Sequence, residues 1–329
     1  MKRIFLFFVI LIYTLCTIFF IGCNNNSSTP PDTPSHTCEA STNIVYRENN
    51  NKLSIGYACT TCNNVCQAQR EIDVDYVIKT NDYNVNSILS NVKSGDVIVF
   101  KSGRHFSQLS TQLNNVKIYG ETGTILYGLN TGNLTNVSIE NVEFESSTEL
   151  KENIDGLSFI NCKFSYGILC EYLIKNLSFD SCNFIDITST QETAIKLITY
   201  ENFTITNCVF DRIAYNAMQI GVSASGTCNI YNNTFKNVRS RVIYLISVEN
   251  LSTCNIENNI FYSHHDNYID DESLDNSGCK KSSGVYVHTK SSTGTINIGV
   301  NTWELIPDYD AKYITPIASY NYNQQLALF

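Results

Sequence analysis

Between residues 130 and 305 apolar and polar positions alternate in short bursts that copy one another. Val137-Ser-Ile-Glu-Asn-Val-Glu-Phe144, Leu157-Ser-Phe-Ile-Asn-Cys-Lys-Phe164, Leu177-Ser-Phe-Asp-Ser-Cys-Asn-Phe184 and Phe203-Thr-Ile-Thr-Asn-Cys-Val-Phe210 align without gaps. Cys228 to Phe235, Cys254 to Phe261 and Ile296 to Trp303 keep the same frame, so the aromatic recurs at steps of 20, 20, 26, 25, 26 and 42 residues. Each unit alternates with period two and then bends, which predicts a strand and rules out a helix. A second strand family, Ala194 to Thr199, Ala217 to Val222, Val242 to Ser247 and Gly284 to Thr289, falls between the units. One such strand cannot bury its apolar side alone, whereas identical strands stacked about 4.8 Å apart share a continuous core. Two or three strands per coil predict an all-β parallel β-helix; leucine-rich repeats share the length but need helices or leucine-based motifs absent here.

The bend carries an asparagine in most units. Asparagine tolerates left-handed backbone, and Asn161, Asn207, Asn232 and Asn258 are expected to form a ladder of side-chain hydrogen bonds. Cys162, Cys182 and Cys208 hold the next place on three coils and are read as small semi-apolar residues filling a turn.

Upstream, Asn86 to Phe106 reads as an amphipathic helix, a Gly-Asp turn, a buried strand over Val97 to Phe100 and a glycine turn. This segment resembles the N-terminal cap and first coil of the pectate-lyase-like right-handed β-helix superfamily, and the resemblance extends over about residues 80 to 305. It implies a right-handed coil with a helix near 84–93 plugging its open end. It says little about activity, because the superfamily includes lyases, hydrolases, adhesins and structural spikes.

The ends of the chain add an address. Lys2 and Arg3 precede an apolar run from Ile4 to Ile21, the pattern of an export signal. Phe20-Ile21-Gly22-Cys23 resembles the bacterial lipobox, which implies transfer of diacylglycerol, bearing palmitate-type chains, to the Cys23 thiol, then cleavage before Cys23, and an extracytoplasmic protein held on the cell envelope membrane. The expected organisation is a leader over 1–22, a solvated Asn/Ser/Pro tether over 23–37, a cysteine-bearing segment over 38–69 and the β-helix over 70–329 with an insertion at 262–283. Export favours disulfides among Cys38, Cys59, Cys62 and Cys66 over a zinc knuckle built on Cys59-x2-Cys62-x3-Cys66. The apolar stretch from Ile306 to Phe329 is expected to close the last coil.

The net charge of −9 excludes a nucleic-acid partner, whose phosphates demand clustered Lys and Arg. With the second strand family turned to present its odd-family side chains outward, one surface column reads Lys196, Gln219, Tyr244 and Tyr286, with His288 two places on. Its tyrosines suit stacking on sugar rings, and they equally suit a plain solvent-facing ladder. Beside it lie Lys236, Arg239, Arg241 and, in the insertion, His264, His265 and Asp266. Arg239 and His265 each follow a stacked aromatic by four residues, which places them one coil apart, and Asp266 can pair with Arg239 or Arg241. Lys236, Arg239 and His265 are the candidate catalytic groups of a polysaccharide lyase, which needs a cation at a uronate carboxylate and a base for the C5 proton. Neither the Arg-Pro signature of pectate lyases nor the clustered aspartates of polygalacturonase-like hydrolases is present. Asp270, Asp271, Glu272 and Asp275 offer oxygens to Ca2+, but at no known calcium-loop spacing, so no cofactor is expected. A glycan-binding or adhesive surface module is the leading reading; a lyase and a ligand-free structural spacer are its alternatives.

Overall fold

The computed structural model describes residues 38–62, 64–106, 108–238, 240–248, 252–262, 283–290, 295–304 and 315–319, and divides the chain into two compact units meeting at residues 77 and 78. The Cys23 leader and tether and the insertion that carries His264 to Asp275 lie outside the described residues.

The N-terminal unit is an antiparallel three-stranded meander of Ala40–Asn49, Lys52–Cys59 and Val65–Asp73. Asn49 pairs with Lys52 around a two-residue turn in which Asn50 and Asn51 have φ of 52° and 60°, the backbone that matches strand twist in a tight hairpin. Tyr46, Leu53 and Ile55 are buried on one face, and Val45 and Ala58, of opposite parity, are buried on the other. Cys38 is joined to Cys66, so the knuckle reading loses one of its ligands to a disulfide. What the sequence suggested was an unpatterned cysteine-bearing stretch is therefore a regular sheet.

The second unit is a parallel β-solenoid of about eight turns. The gapless alignment of the repeat is its hydrogen-bonding register: Val137 pairs with Leu157, then Leu177, Phe203, Cys228, Cys254 and Ile296 on successive coils. The second strand family stacks likewise and belongs to the same sheet, because strands such as Ile168–Asp180 and Ile195–Thr206 run through the corner between the two families unbroken. The corner is a single left-handed residue, Asn176 (φ 50°) or Asn202 (φ 57°). On the next coil it is Gly226 (φ 92°), where an added Cβ would strike the Asn202 side chain. A separate nine-stranded sheet closes the coil.

Its core is a ladder of rings. Phe144, Phe164, Phe184, Phe210, Phe235 and Phe261 stack at 4.6 to 5.0 Å between centroids, with interplanar angles from 6° to 21°. A second, shorter ladder, Phe159 on Phe179, meets the first edge-on. Edge-to-face contact between two stacked columns satisfies the aromatic quadrupole in both directions, which fixes the separation of the two sheets.

At the bend, Asn141, Asn161, Ser181, Asn207, Asn232 and Asn258 all have positive φ, as the repeat predicts. The amide ladder is not at this position throughout. Asn161 bonds Asn141 at 3.1 Å, but Asn207 reaches instead to Asp180 at 2.8 Å. The continuous ladder lies one residue later and inside. Asn233 and Asn259 are fully buried, and Asn233 accepts from the Cys208 amide at 2.9 Å. The amides of Asn233 and Asn259 in turn donate to the side chains of Asn259 and Asn301, each at 2.9 Å. The left-handed residue throws its side chain outward and its successor, back in extended backbone, points in. Cys162, Cys182 and Cys208 continue the same inner column as buried thiols, as the sequence suggests; the Cys162 and Cys182 thiols contact the Ile139 and Phe159 carbonyls at 3.4 Å.

The helix expected near 84–93 is a single turn, Val85–Leu89, that buries Val85 and Leu89. It stops early because Ser90 and Asn91 both turn their side chains back to the Ser87 carbonyl, at 2.8 Å each. At the far end, Thr315–Ser319 adds one more strand within the expected closing segment.

Two outcomes follow. Phe184→Ala removes a ring with neighbours on both sides and is expected to cost about 3–5 kcal/mol in denaturant unfolding. Asn207→Ala is expected to be less stable than Asn207→Gly by at least about 1 kcal/mol, since both lose the side-chain bond but only alanine resists positive φ.

Candidate functional site

The second strand family supplies the surface that the sequence singles out. Ile195, Leu197, Met218, Ile220, Ile243 and Leu245 are buried, so the residue between each pair must face out. Register makes the column explicit: Leu169 pairs with Lys196, Lys196 with Gln219, Gln219 with Tyr244, and Tyr244 with Tyr286. Lys196, Gln219 and Tyr244 are half-buried, as flat-sheet residues flanked by neighbours are. His288 lies one coil on from Ile246, between the paired positions Leu245/Val287 and Ser247/Thr289.

Arg241 completes this surface. Its guanidinium carbon lies 4.7 Å from the Tyr244 ring centroid, a cation–π contact that covers one face of the ring with a planar array of donors. The Arg241 backbone is pinned from below: its N–H donates to the Asn216 side-chain oxygen at 3.1 Å, and its carbonyl accepts from Ala217 at 3.2 Å. Asn216 is itself fully buried. Burial pushes the Tyr244 phenol above the ordinary tyrosine range; the Arg241 charge opposes that rise and Tyr215 adds to it. The phenol is thus a neutral hydroxyl at physiological pH, able to donate and accept.

Several other cations of the solenoid form ion pairs. Lys163 pairs with Glu143 at 2.8 Å, Lys175 with Glu201 at 3.0 Å and Arg104 with Glu145 at 2.9 Å, each from one coil to another. Arg212, at a φ of 57°, clasps Asp186 and also bonds Asp211 at 2.7 Å, holding the Asp186 carboxyl below the usual carboxylate range. Lys196 forms no ion pair among the described residues, which leaves an ammonium available within the tyrosine column.

Of the candidate catalytic residues, Lys236 is exposed, pairs in register with Asp211, and carries its ammonium 5.4 Å from the Tyr262 ring centroid. Arg239, His265 and the acidic residues Asp270, Asp271, Glu272 and Asp275 fall outside the described residues, as does Cys23. The Arg241–Tyr244 contact is what sequence reasoning did not single out. The signal was present: Ala194, Ala217 and Val242 occupy one position of the second strand family, and the residue before it runs Thr193, Asn216, Arg241.

No protein-family model matches the chain, and comparisons with curated proteins and with solved structures likewise gave no match.

Removing the guanidinium tests the contact. In Arg241→Gln the Tyr244 phenol is expected to titrate at higher pH than in the wild type, followed by NMR of ring-labelled tyrosine; an unmoved titration would place Arg241 away from the ring.

Proposed function

We propose that the chain is an extracytoplasmic surface module that binds glycans on the outward column of the second strand family. One observation carries the reading: Lys196, Gln219 and Tyr244 stand in consecutive register on a flat parallel sheet, Tyr286 holds the next position, and Arg241 is laid over Tyr244. Such a row, rising about 4.8 Å per coil, suits a ligand that is itself long and repetitive and lies along the solenoid axis. Amide, ammonium, phenol and guanidinium donors are the groups that recognise hydroxyl and carboxylate oxygens of a sugar chain, and aromatic rings in such a row are the groups on which a pyranose stacks. Acylation of Cys23 would hold this module at the membrane through the Asn/Ser/Pro tether. Right-handed coiling, with Val85–Leu89 covering the first coil, is the form that the likeness to pectate-lyase-like proteins implies.

The test is binding of the soluble chain to immobilised polysaccharides, neutral and uronate-bearing, by surface resonance. Tyr244→Ala and Lys196→Ala are each expected to weaken the retained ligand about tenfold, or about 1.4 kcal/mol, while Lys163→Ala on another face leaves it unchanged. Equal binding by all three variants would remove the column from the function, and accumulation of an unsaturated sugar product would replace binding with lyase chemistry. For the anchor, the protein is expected in the detergent phase on partitioning, and Cys23→Ala is expected to leave an uncleaved precursor.

A further inference from the structure

The cysteines of the two units sit in different physical settings. In the solenoid Cys162, Cys170, Cys182, Cys208, Cys228 and Cys254 are buried in the core. Burial pushes the Cys170 thiol far above its ordinary value, so it stays protonated and out of reach of a soluble oxidant. In the meander all four cysteines gather at one end of the sheet. Cys38 precedes the first strand, Cys59 ends the second, Cys62 lies in the following turn and Cys66 is the second residue of the third, with Cys38 and Cys66 already joined.

The turn itself is tight. Residues 60–62 are turn residues, the Cys59 N–H donates to the Asn64 carbonyl at 2.7 Å, and the Thr60 N–H donates to the Glu39 carbonyl at 2.8 Å. Cys59 ends its strand and Cys62 is the last of the three turn residues that follow it, so two residues separate the two cysteines; four consecutive residues of a tight turn bring their end Cα atoms to within about 7 Å. A disulfide needs about 4.4–6.8 Å between Cα atoms. Cys59 is fully buried and Cys62 half-buried, which gives the two thiols an order of reaction.

We propose that Cys59 and Cys62 form a second disulfide across this turn when the chain meets an external disulfide, leaving the solenoid thiols reduced. The Cys62 thiolate attacks one sulfur of the external disulfide, forming a mixed disulfide and expelling one thiolate. The Cys59 thiolate then attacks the Cys62 sulfur and expels the second. Two protein thiols are oxidised, one external disulfide is reduced to two thiols, and the two protons given up by the protein thiols end on the two expelled thiolates. The bond locks the turn that leads into the strand of Cys66, which is joined to Cys38, so the N-terminal sheet is stapled at one end by two crosslinks. This inference does not depend on glycan binding.

The purified full chain is equilibrated with oxidised glutathione, denatured in acid, alkylated with N-ethylmaleimide, then reduced, alkylated with iodoacetamide and mapped by mass spectrometry. The expected map shows N-ethylmaleimide on Cys162, Cys170, Cys182, Cys208, Cys228 and Cys254 and iodoacetamide on Cys38, Cys59, Cys62 and Cys66. An unreduced digest is expected to contain the Cys59–Cys62 link. In Cys62→Ser, Cys59 is expected to take N-ethylmaleimide while Cys38–Cys66 persists. N-ethylmaleimide on both Cys59 and Cys62 of the wild type would overturn the proposal. So would links from either to Cys38 or Cys66, or one tightly held zinc per chain released by thiol alkylation.

Discussion

Parallel, in-register stacking is the constraint on which the rest of this structure depends. A residue in one coil meets its equivalent in the next at a single strand spacing, so every inward position must suit a copy of itself above and below. Phenylalanine meets that demand by offset stacking, isoleucine and leucine by plain apolar contact, and asparagine by passing its amide to the next coil. A charge in an inward column would face like charge at about 4.8 Å on both sides. The inner column beside the bend accordingly holds neutral thiols and amides, with Asn233 and Asn259 bonded to backbone of the coil before and to side chain of the coil after.

The same constraint explains how much was legible in the sequence. A fold that repeats itself writes its register into the chain, and the alignment of Val137 with Leu157, Leu177 and Phe203 is the observed ladder without a shift. The inside and outside of the second strand family followed from period-two alternation alone. What did not follow depends on directions that a one-dimensional pattern omits. The amide ladder sits one residue beyond the bend asparagines because a left-handed residue reverses which way its successor points. The helix ends at Leu89 because Ser90 and Asn91 bond locally. The meander does not repeat, so its signal is a single local turn, Asn50-Asn51 between two alternating runs, with no copy elsewhere in the chain to mark its register.

The candidate site was legible by position and not by contact. Lys196, Gln219 and Tyr244 are where alternation puts them, yet the guanidinium over Tyr244 comes from a residue before the strand, held by a buried amide that no periodicity marks. The outward face is where folding makes the fewest demands. Its exposed cross-coil pairs, such as Lys163 with Glu143, contribute little to stability, so its composition is open to other uses. Lys196, which forms no ion pair among the described residues, stands in register one coil from Gln219 and two from Tyr244.

Register is the claim from which the core, the corner and the surface column are all derived, and spin-label distances read it directly. With labels introduced as non-natural amino acids at outward positions, Ser138 paired in turn with Asn229, Asn255 and Asn297 is separated by four, five and six coils. Stacking at one strand spacing gives separations of about 19, 24 and 29 Å, rising by one increment per coil. A series that fails to rise in order, or whose steps scale with the 26 and 42 residues of intervening chain, would contradict the solenoid and everything built on it.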